Sequence, residues 1–283
     1  MIKVLHPGFY STIQDLGRRD YQHLGVPLSG AMDQHALKSA NAILGNDENC
    51  AVLEITMLGP NLEFCCDTVI TISGADLQPK LNGIKIRLFS ATNVKTGDVL
   101  SFGRLSKGFR AYLAVSKGFQ TEDILNSKSM YKGLTAASRL QKGDLIKLIP
   151  TNHINNKYAY VKFDGNIDVD IIVVNKGPEF EHLNDKQINQ LFGQEFTISK
   201  ENNRMAYQLD ELITNSLNEI ITSLVMPGTI QLTPLGKLII LMRDCQTTGG
   251  YPRILQLSEY SISVLAQKKV GDKIIFKLEE YQL

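Results

Sequence analysis

Apolar and polar residues alternate over short runs along most of this chain, and Gly, Pro and Asn separate the runs. Patterning of this kind predicts strands, here Val69 to Ile72, Ile84 to Phe89, Arg110 to Val115, Ile171 to Val174, Leu238 to Met242, Ile254 to Leu257 and Lys273 to Leu278. Helical spacing stands out in two places. Asp33 to Leu44 puts Ala36, Leu37, Ala40, Ile43 and Leu44 on one face ahead of a Gly45 stop, and Asn184 to Phe192 starts on a capping residue and ends before Gly193. A shorter helix is expected from Ser261 to Gln267. Many strands and few helices predict a mainly β fold of barrels or sandwiches, not a doubly wound sheet.

A weak echo bears on organisation. Lys95 to Phe102, Gln141 to Leu148 and Lys269 to Phe276 each set a Gly-Asp turn before an alternating strand. Shared turn chemistry explains this at least as well as duplication. The copies ending at Leu148 and Leu278 would close two halves of similar size, and Pro150 to Lys157 is the most linker-like stretch. Two halves are therefore expected, 1–150 and 151–283.

Composition narrows the class. The chain has 283 residues, 43% hydrophobic and 21% charged, which are globular values. Thirty basic against 29 acidic residues give a net charge of +1, so no electrostatic footprint for nucleic acid or an anionic membrane is present. Cys50, Cys65, Cys66 and Cys245 form no C-x-x-C pair and fit reduced thiols. Pro7 comes too early for a signal peptide, and no apolar run approaches the ~20 residues of a membrane span. A cytoplasmic protein is expected.

Two stretches concentrate chemistry. Asp244 to Arg253 joins two predicted strands and gathers Gln246, Thr247, Thr248, Gly249, Gly250, Tyr251 and Arg253. The diglycine permits φ > 0 and close approach by a ligand, and consecutive N–H groups there would form an anion-binding concavity. A polar loop tying up its own backbone is the competing reading. Gly8 to Asp33 is a long segment without clear periodicity but rich in apolar residues. It contains Thr12, Gln14 and Asp15, Arg18 as a bidentate grip for carboxylate or phosphate, and a Ser29-Gly30 turn ahead of a helix N-terminus that favours anions. Asp33 reads as a plain helix cap. Glu54 interrupts an apolar run and faces away from Leu53 and Ile55, toward either solvent or a polar barrel mouth. Arg204 is a loop cation. No P-loop, Rossmann fingerprint, G-x-S-x-G elbow or H-E-x-x-H is found, and the five histidines lack metal-ligand spacing.

Thr12 to Arg18, Gly25 to Asp33, Ala40-Asn41, Leu53 to Thr56 and Gln246 to Arg253 together resemble the biotin-dependent carboxyltransferase-like family. That family includes the C subunit of 5-oxoprolinase, allophanate hydrolase subunit 2 and the carboxyltransferase segment of urea amidolyase. The resemblance runs from about Ile2 to Phe276. It implies two cyclophilin-like β-barrel subdomains with a few short helices. It also implies a complex, formed directly with the B subunit of 5-oxoprolinase and including its A subunit. Two departures stand out: Asn203 to Leu209 carries Ala206 and Gln208 where the family commonly has Gly and Arg, and Leu134 to Arg139 replaces a glycine-rich stretch.

The leading function implied is the C subunit of an ATP-dependent complex that opens 5-oxo-L-proline to L-glutamate, with ATP and Mg2+ acting at the level of the complex. Arg18, Arg204 and Arg253 are then candidates for phosphate or substrate carboxylate, Gln246, Thr247, Thr248, Gly249 and Gly250 for orienting the amide, and Glu54 or Asp15 for base or magnesium ligand. One alternative is transfer of carboxyl from N-carboxybiotin to urea or a related amide, although the chain carries no A-M-K-M biotinylation motif. Another is a non-enzymatic regulator that binds a kinase-inhibitor homologue.

Overall fold

The computed structural model describes residues 1–151 and 169–279. These divide into two compact units. One takes Met1–Arg18 and residues 29–151; the other takes Arg19–Leu28 and residues 169–279. The linker-like stretch from Pro150 to Lys157 lies outside the described residues beyond Thr151.

In the first unit β1 (Ile2–His6), β4 (Asn61–Phe64), β6 (Lys80–Leu81), β7 (Ile84–Lys85), β9 (Val99–Ser101) and β11 (Leu145–Ile146) form one sheet, in the order β11-β1-β4-β9-β6-β7. A second sheet runs β2 (Tyr10–Gln14), β3 (Val52–Thr56), β10 (Lys107–Val115), β5 (Thr68–Asp76), β8 (Thr92–Val94). Ile2, Val4, Leu62 and Phe64 of the first sheet share a core with Ile13, Leu53, Ile55, Ile72 and Leu113 of the second. Hydrogen bonding leaves this unit as two sheets around one core, not as a closed ring.

The opposite face of the second sheet is also covered. Leu37, Ala40 and Leu44 of α1 (Gln34–Leu44) pack with Val52, Val69, Tyr112 and Ala114. The capping expected of Asp33 is present: its carboxylate accepts from Ala36 N at 2.9 Å, and Gly45 ends the helix in the left-handed region. With a core below and a helix above, every residue of β3 is buried.

The second unit is a closed barrel of β12 (Ile171–Lys176), β13 (Phe196–Asn202), β14 (Ala206–Leu212), β16 (Thr229–Leu232), β17 (Lys237–Leu241), β19 (Arg253–Leu257) and β20 (Lys273–Leu278), in the order β12-β19-β16-β17-β14-β13-β20. Its interior holds Ile172, Ile198, Tyr207, Leu209, Ile240 and Phe276. A separate pair, β15 (Ser223–Leu224) and β18 (Thr248–Gly249), lies outside the barrel's hydrogen bonding. Two helices accompany this unit. In α2 (Asp185–Gly193) the Asn184 and Gln187 side chains complete a capping box, and the helix runs through Gly193 instead of stopping before it. In α3 (Glu259–Leu265) the Ser258 hydroxyl accepts from Ser261 N, which starts the helix two residues before Ser261.

The mainly β reading holds, and two details differ from the sequence pattern. The strand expected from Ile84 to Phe89 ends at Lys85, and Phe89 has φ 52, which no regular strand accommodates. Tyr10–Gln14 is a strand within the aperiodic segment. The connection from β17 to β19 is longer than a hairpin turn because both strands pair with β16 and not with each other. The three Gly-Asp turns share one geometry: Asp98, Asp144 and Asp272 each accept from the backbone N–H three residues back, at 2.8, 2.8 and 2.9 Å. Local turn chemistry is sufficient to explain the echo.

Candidate functional site

The candidate residues fall into two groups, one in each unit. In the first unit, strand register sets Thr12, Glu54 and Tyr112 side by side across β2, β3 and β10. This row faces α1, so Glu54 lies neither in solvent nor at a barrel mouth but beneath a helix, 1% exposed. Its Oε2 accepts from Met32 N at 2.7 Å and from the Tyr112 hydroxyl at 2.9 Å, and its Oε1 lies 3.9 Å from Arg110 Nε. The same Tyr112 oxygen accepts from Asp33 N at 2.8 Å. Burial first, then the Glu54 and Asp33 carboxylates, push the phenol well above its ordinary value, so it stays protonated and donates. Glu54 thus fixes the backbone of Met32 directly and that of Asp33 through Tyr112.

Asp15 is equally committed. One carboxylate oxygen accepts from Gly17 N, Ser127 Oγ and Ser129 Oγ at 2.8, 2.7 and 2.6 Å, and the other from Lys128 N at 2.6 Å. Arg18 is fully buried and donates to the backbone carbonyls of Ile124 and Ser129. Gln14 Nε2 donates to Thr12 Oγ1 and Met130 O. Ser29 sits at φ 56, and Gly30 lies so close to Gly17 that a Cβ would stand 2.8 Å from its N. The Ser29 hydroxyl is buried and makes no hydrogen bond among the described residues. The anion-favouring helix start expected behind this turn is occupied by the chain's own Asp33 carboxylate.

In the second unit, Gln208 of β14 and Gln231 of β16 flank Ile239 of β17 in one row on the barrel's outer face. The turn from Gln246 to Tyr251 crosses this row, and a cleft of about 580 Å³ opens there, lined among others by Asn203, Ala206, Gln208, Gln231, Gln246 and Tyr251. Ala206 and Gln208, the two departures from the family pattern, are therefore cleft residues. Gln231 donates to Tyr251 O at 3.3 Å, and a Cβ on Gly249 would stand 2.6 Å from its Nε2. Gln246 Oε1 is buried and accepts no hydrogen bond among the described residues. The arrangement offers carboxamides to a ligand that both donates and accepts.

The diglycine works differently from expectation. Neither Gly249 nor Gly250 has positive φ. Thr248-Gly249 is paired with β15, and extended backbone sends successive N–H groups to opposite sides, so this pair forms no anion concavity. The glycines instead admit close neighbours, Gln231 at Gly249 and Ile220 O at Gly250. Thr247 O accepts from Val225 N at 3.1 Å, and Ile220 N donates to Gly250 O at 2.9 Å, so residues 220–225 form a strap along the turn.

Both candidate arginines of this unit are ion-paired. Arg204 grips Asp244 bidentately at 2.8 and 3.1 Å. Arg253 donates Nε and Nη2 to Glu179 at 3.0 and 2.7 Å and Nη1 to Leu224 O at 2.9 Å. The Arg253 side-chain hydrogen bond holds the Glu179 carboxyl below its usual value. A depressed carboxyl stabilises the fold fully above the unfolded value of about 4.3 and loses that contribution as pH falls through the lower folded value. The stability difference between wild type and Glu179→Gln is accordingly expected to stay constant from pH 7 to about 5 and to shrink only in more acid solution. Urea titrations at each pH measure it, and a difference already gone by about pH 5 would contradict the pairing.

Tyr112, Arg110, Glu179 and Gln231 escape a reading of the sequence because their roles depend on strand neighbours far away in the chain. Burial pushes the Cys245 thiol up to about 12, which makes it unreactive, and all four cysteines are free. Among the described residues no three His, Cys, Asp or Glu side chains cluster as metal ligands, and no helix is long and apolar enough to cross a membrane.

The second β unit carries an amide-lined cleft, and comparison with known proteins gives the family. Residues 24–278 match the family described as carboxyltransferase domain, subdomain A and B, and the chain belongs to that family. It is 31% identical over 284 residues to the C subunit of 5-oxoprolinase from Escherichia coli (strain K12), covering 98% of this chain and 90% of that one. It is 37% identical over 159 residues to urea amidolyase of Saccharomyces cerevisiae, covering 54% of this chain and 9% of that protein. The crystal structure of the K. lactis urea amidolyase superposes with a TM-score of 0.86 at 27% identity, over 97% of this chain and 18% of that one.

Proposed function

We propose that this chain is the C subunit of an ATP-dependent 5-oxoprolinase, a cytoplasmic complex in which it binds the B subunit directly and acts with the A subunit. The observation that carries this reading is the end-to-end correspondence with a relative of that name, 98% of this chain against 90% of the other. A five-membered lactam presents one N–H and one carbonyl beside its carboxylate, and the carboxamide N–H groups of Gln246 and Gln208 in the cleft are donors for its oxygens. The reading gives the orienting role to Gln246, with Thr247, Thr248, Gly249, Gly250 and Tyr251 shaping the turn.

The candidate side chains do not fit ATP and Mg2+. Arg18 is spent on carbonyls and Arg204 and Arg253 on carboxylates, while the Asp15 and Glu54 carboxylates already accept from protein donors. The reading therefore leaves ATP to the complex. Thr12, Gln14, Asp15, Arg18, Ser29, Gly30 and Glu54 serve to build the first unit's loops.

The deciding experiment co-expresses the chain with homologues of the A and B subunits and follows ATP-dependent conversion of 5-oxoproline to glutamate, omitting each in turn. Glutamate produced equally well without this chain overturns the reading. In the same assay Gln246→Ala is expected to lower kcat/KM roughly tenfold to a hundredfold, the loss of one or two ligand hydrogen bonds. Unchanged kinetics would remove Gln246 from the site. The match to urea amidolyase favours a second reading, carboxyl transfer from N-carboxybiotin to an amide in the same cleft. Turnover of urea that requires a separate biotinylated carrier would establish it.

A further inference from the structure

Lys237 stands beside the candidate cleft without lining it, and its side chain contacts two residues that do line it, Gln208 and Glu201. It shares a face of β17 with Ile239, two residues on, and Ile239 is the register partner of Gln208 on β14. The ammonium is therefore diagonal to Gln208, and Nζ donates to Gln208 Oε1 at 3.1 Å and to Glu201 Oε2 at 3.3 Å. The root of the side chain is fixed in the turn from β16. Lys237 N donates to Thr233 Oγ1 at 3.0 Å, and Thr233 N donates to Lys237 O at 2.9 Å. Solvent reaches the Lys237–Glu201 pair, so by itself it adds little stability.

An ammonium has donors and no acceptor, so only the oxygen of a carboxamide can face it. Gln208 is thereby held in one of its two amide orientations, with Oε1 turned to Lys237 and Nε2 left for the cleft. Among the described residues that Nε2 has no hydrogen-bond partner. A positive charge at the carbonyl oxygen also polarises the amide and strengthens its N–H groups as donors. Reversed, the same side chain would present an oxygen, which repels a carbonyl or carboxylate oxygen. Lys237 therefore decides whether this part of the cleft wall donates or accepts. Its bond to Glu201 also offsets a carboxylate that lines the same wall.

We infer that Lys237 is a positioning residue: by holding Gln208 Oε1 it turns the Gln208 N–H groups into the cleft, where they donate to an oxygen of the ligand. The ligand class is one with acceptor oxygens, a lactam carbonyl or a carboxylate, and 5-oxoproline carries both. The inference rests on the proposed reading for that choice of ligand, whereas the held orientation of Gln208 does not. Lys237 acts through Gln208 and is assigned no contact with the ligand.

The test follows the Gln208 side-chain amide by NMR in the full-length chain, first alone and then on titration with 5-oxoproline. The amide is expected to be rigid in wild type and in Lys237→Arg, which keeps the charge and the donors. In Lys237→Met it should be mobile, with an order parameter below about 0.6. 5-Oxoproline should shift the Gln208 Nε2–H signals of wild type. Lys237→Met should weaken its binding roughly tenfold, the loss of one ligand hydrogen bond, and Lys237→Arg by less than about twofold. In a Gln208→Ala background the Lys237→Met effect should vanish, because the two residues act in series. An amide equally rigid in Lys237→Met would overturn the inference, and so would wild-type Gln208 signals that 5-oxoproline leaves unmoved. A Lys237→Met loss that persists without Gln208 would also overturn it, by making the cation a direct ligand. Titration that succeeds while the three-subunit assay yields no glutamate would sink the proposed reaction and leave this inference standing. Glutamate formed by the Lys237→Met complex with unchanged kcat/KM would do the reverse.

Discussion

Glu54→Ala is expected to destabilise the first unit by about 3–5 kcal/mol, the range seen when one partner of a buried charged network is removed. The substitution strips acceptors from Met32 N and the Tyr112 hydroxyl and leaves the Arg110 guanidinium, 3% exposed, without its nearby carboxylate. Tyr112→Phe should cost less, about 1–3 kcal/mol, because it removes one hydroxyl and leaves the charges balanced. Urea unfolding of both variants tests the order. A Glu54→Ala loss below about 1 kcal/mol would show that the network does not hold the Ser29 to Asp33 turn. The experiment also bears on chemistry, because a carboxylate kept for proton transfer should be removable with little loss of stability.

Gly177→Ala is the second large effect. A Cβ there would stand 2.2 Å from Arg253 O and 2.8 Å from the carbonyl carbons of Arg253 and Ile254. Those are backbone atoms of a paired barrel strand and cannot swing aside as a side chain can. The chain must therefore lift away from β19, which breaks the Gly177–Ile254 and Glu179–Arg253 backbone bonds. The expected cost is about 3 kcal/mol, at the upper end of overpacking penalties. Hydrogen exchange is expected to accelerate at Gly177 and Glu179 while the amide of Ile240, on the far side of β16, stays protected. Unchanged exchange at Glu179 would mean that the strand absorbs the methyl group.

How far the sequence could be read depended on whether neighbours in the chain were also neighbours in space. Helices α1 and α2 were legible because their caps and faces are local, as the Asp33 and Asn184 caps illustrate. The three Gly-Asp turns were legible for the same reason. Tyr10–Gln14 was not, because only Ile13 points into the core while Thr12 and Gln14 are buried with polar partners on the other face. Period-two patterning presumes one wet face, and this sheet has none. At the site, the motif from Gln246 to Arg253 was visible, but the state of its arginine was not. Glu179 lies 74 residues away, and nothing in its local sequence marks it as a partner. Glu54 stands out in the sequence as a charge in an apolar run, whereas its place under α1 follows only from the register linking it to Tyr112.

Residues Arg19–Leu28 group with the second unit although the chain on both sides of them belongs to the first. The two units are therefore interlaced in connectivity, which bears on how the protein can be taken apart. A fragment beginning after residue 151 lacks ten residues of its own unit, and a fragment ending there carries a segment foreign to its own. Dissection would call for a permuted chain that supplies 19–28 to the barrel and closes the first unit across the gap. No single cut through the gene yields two whole halves.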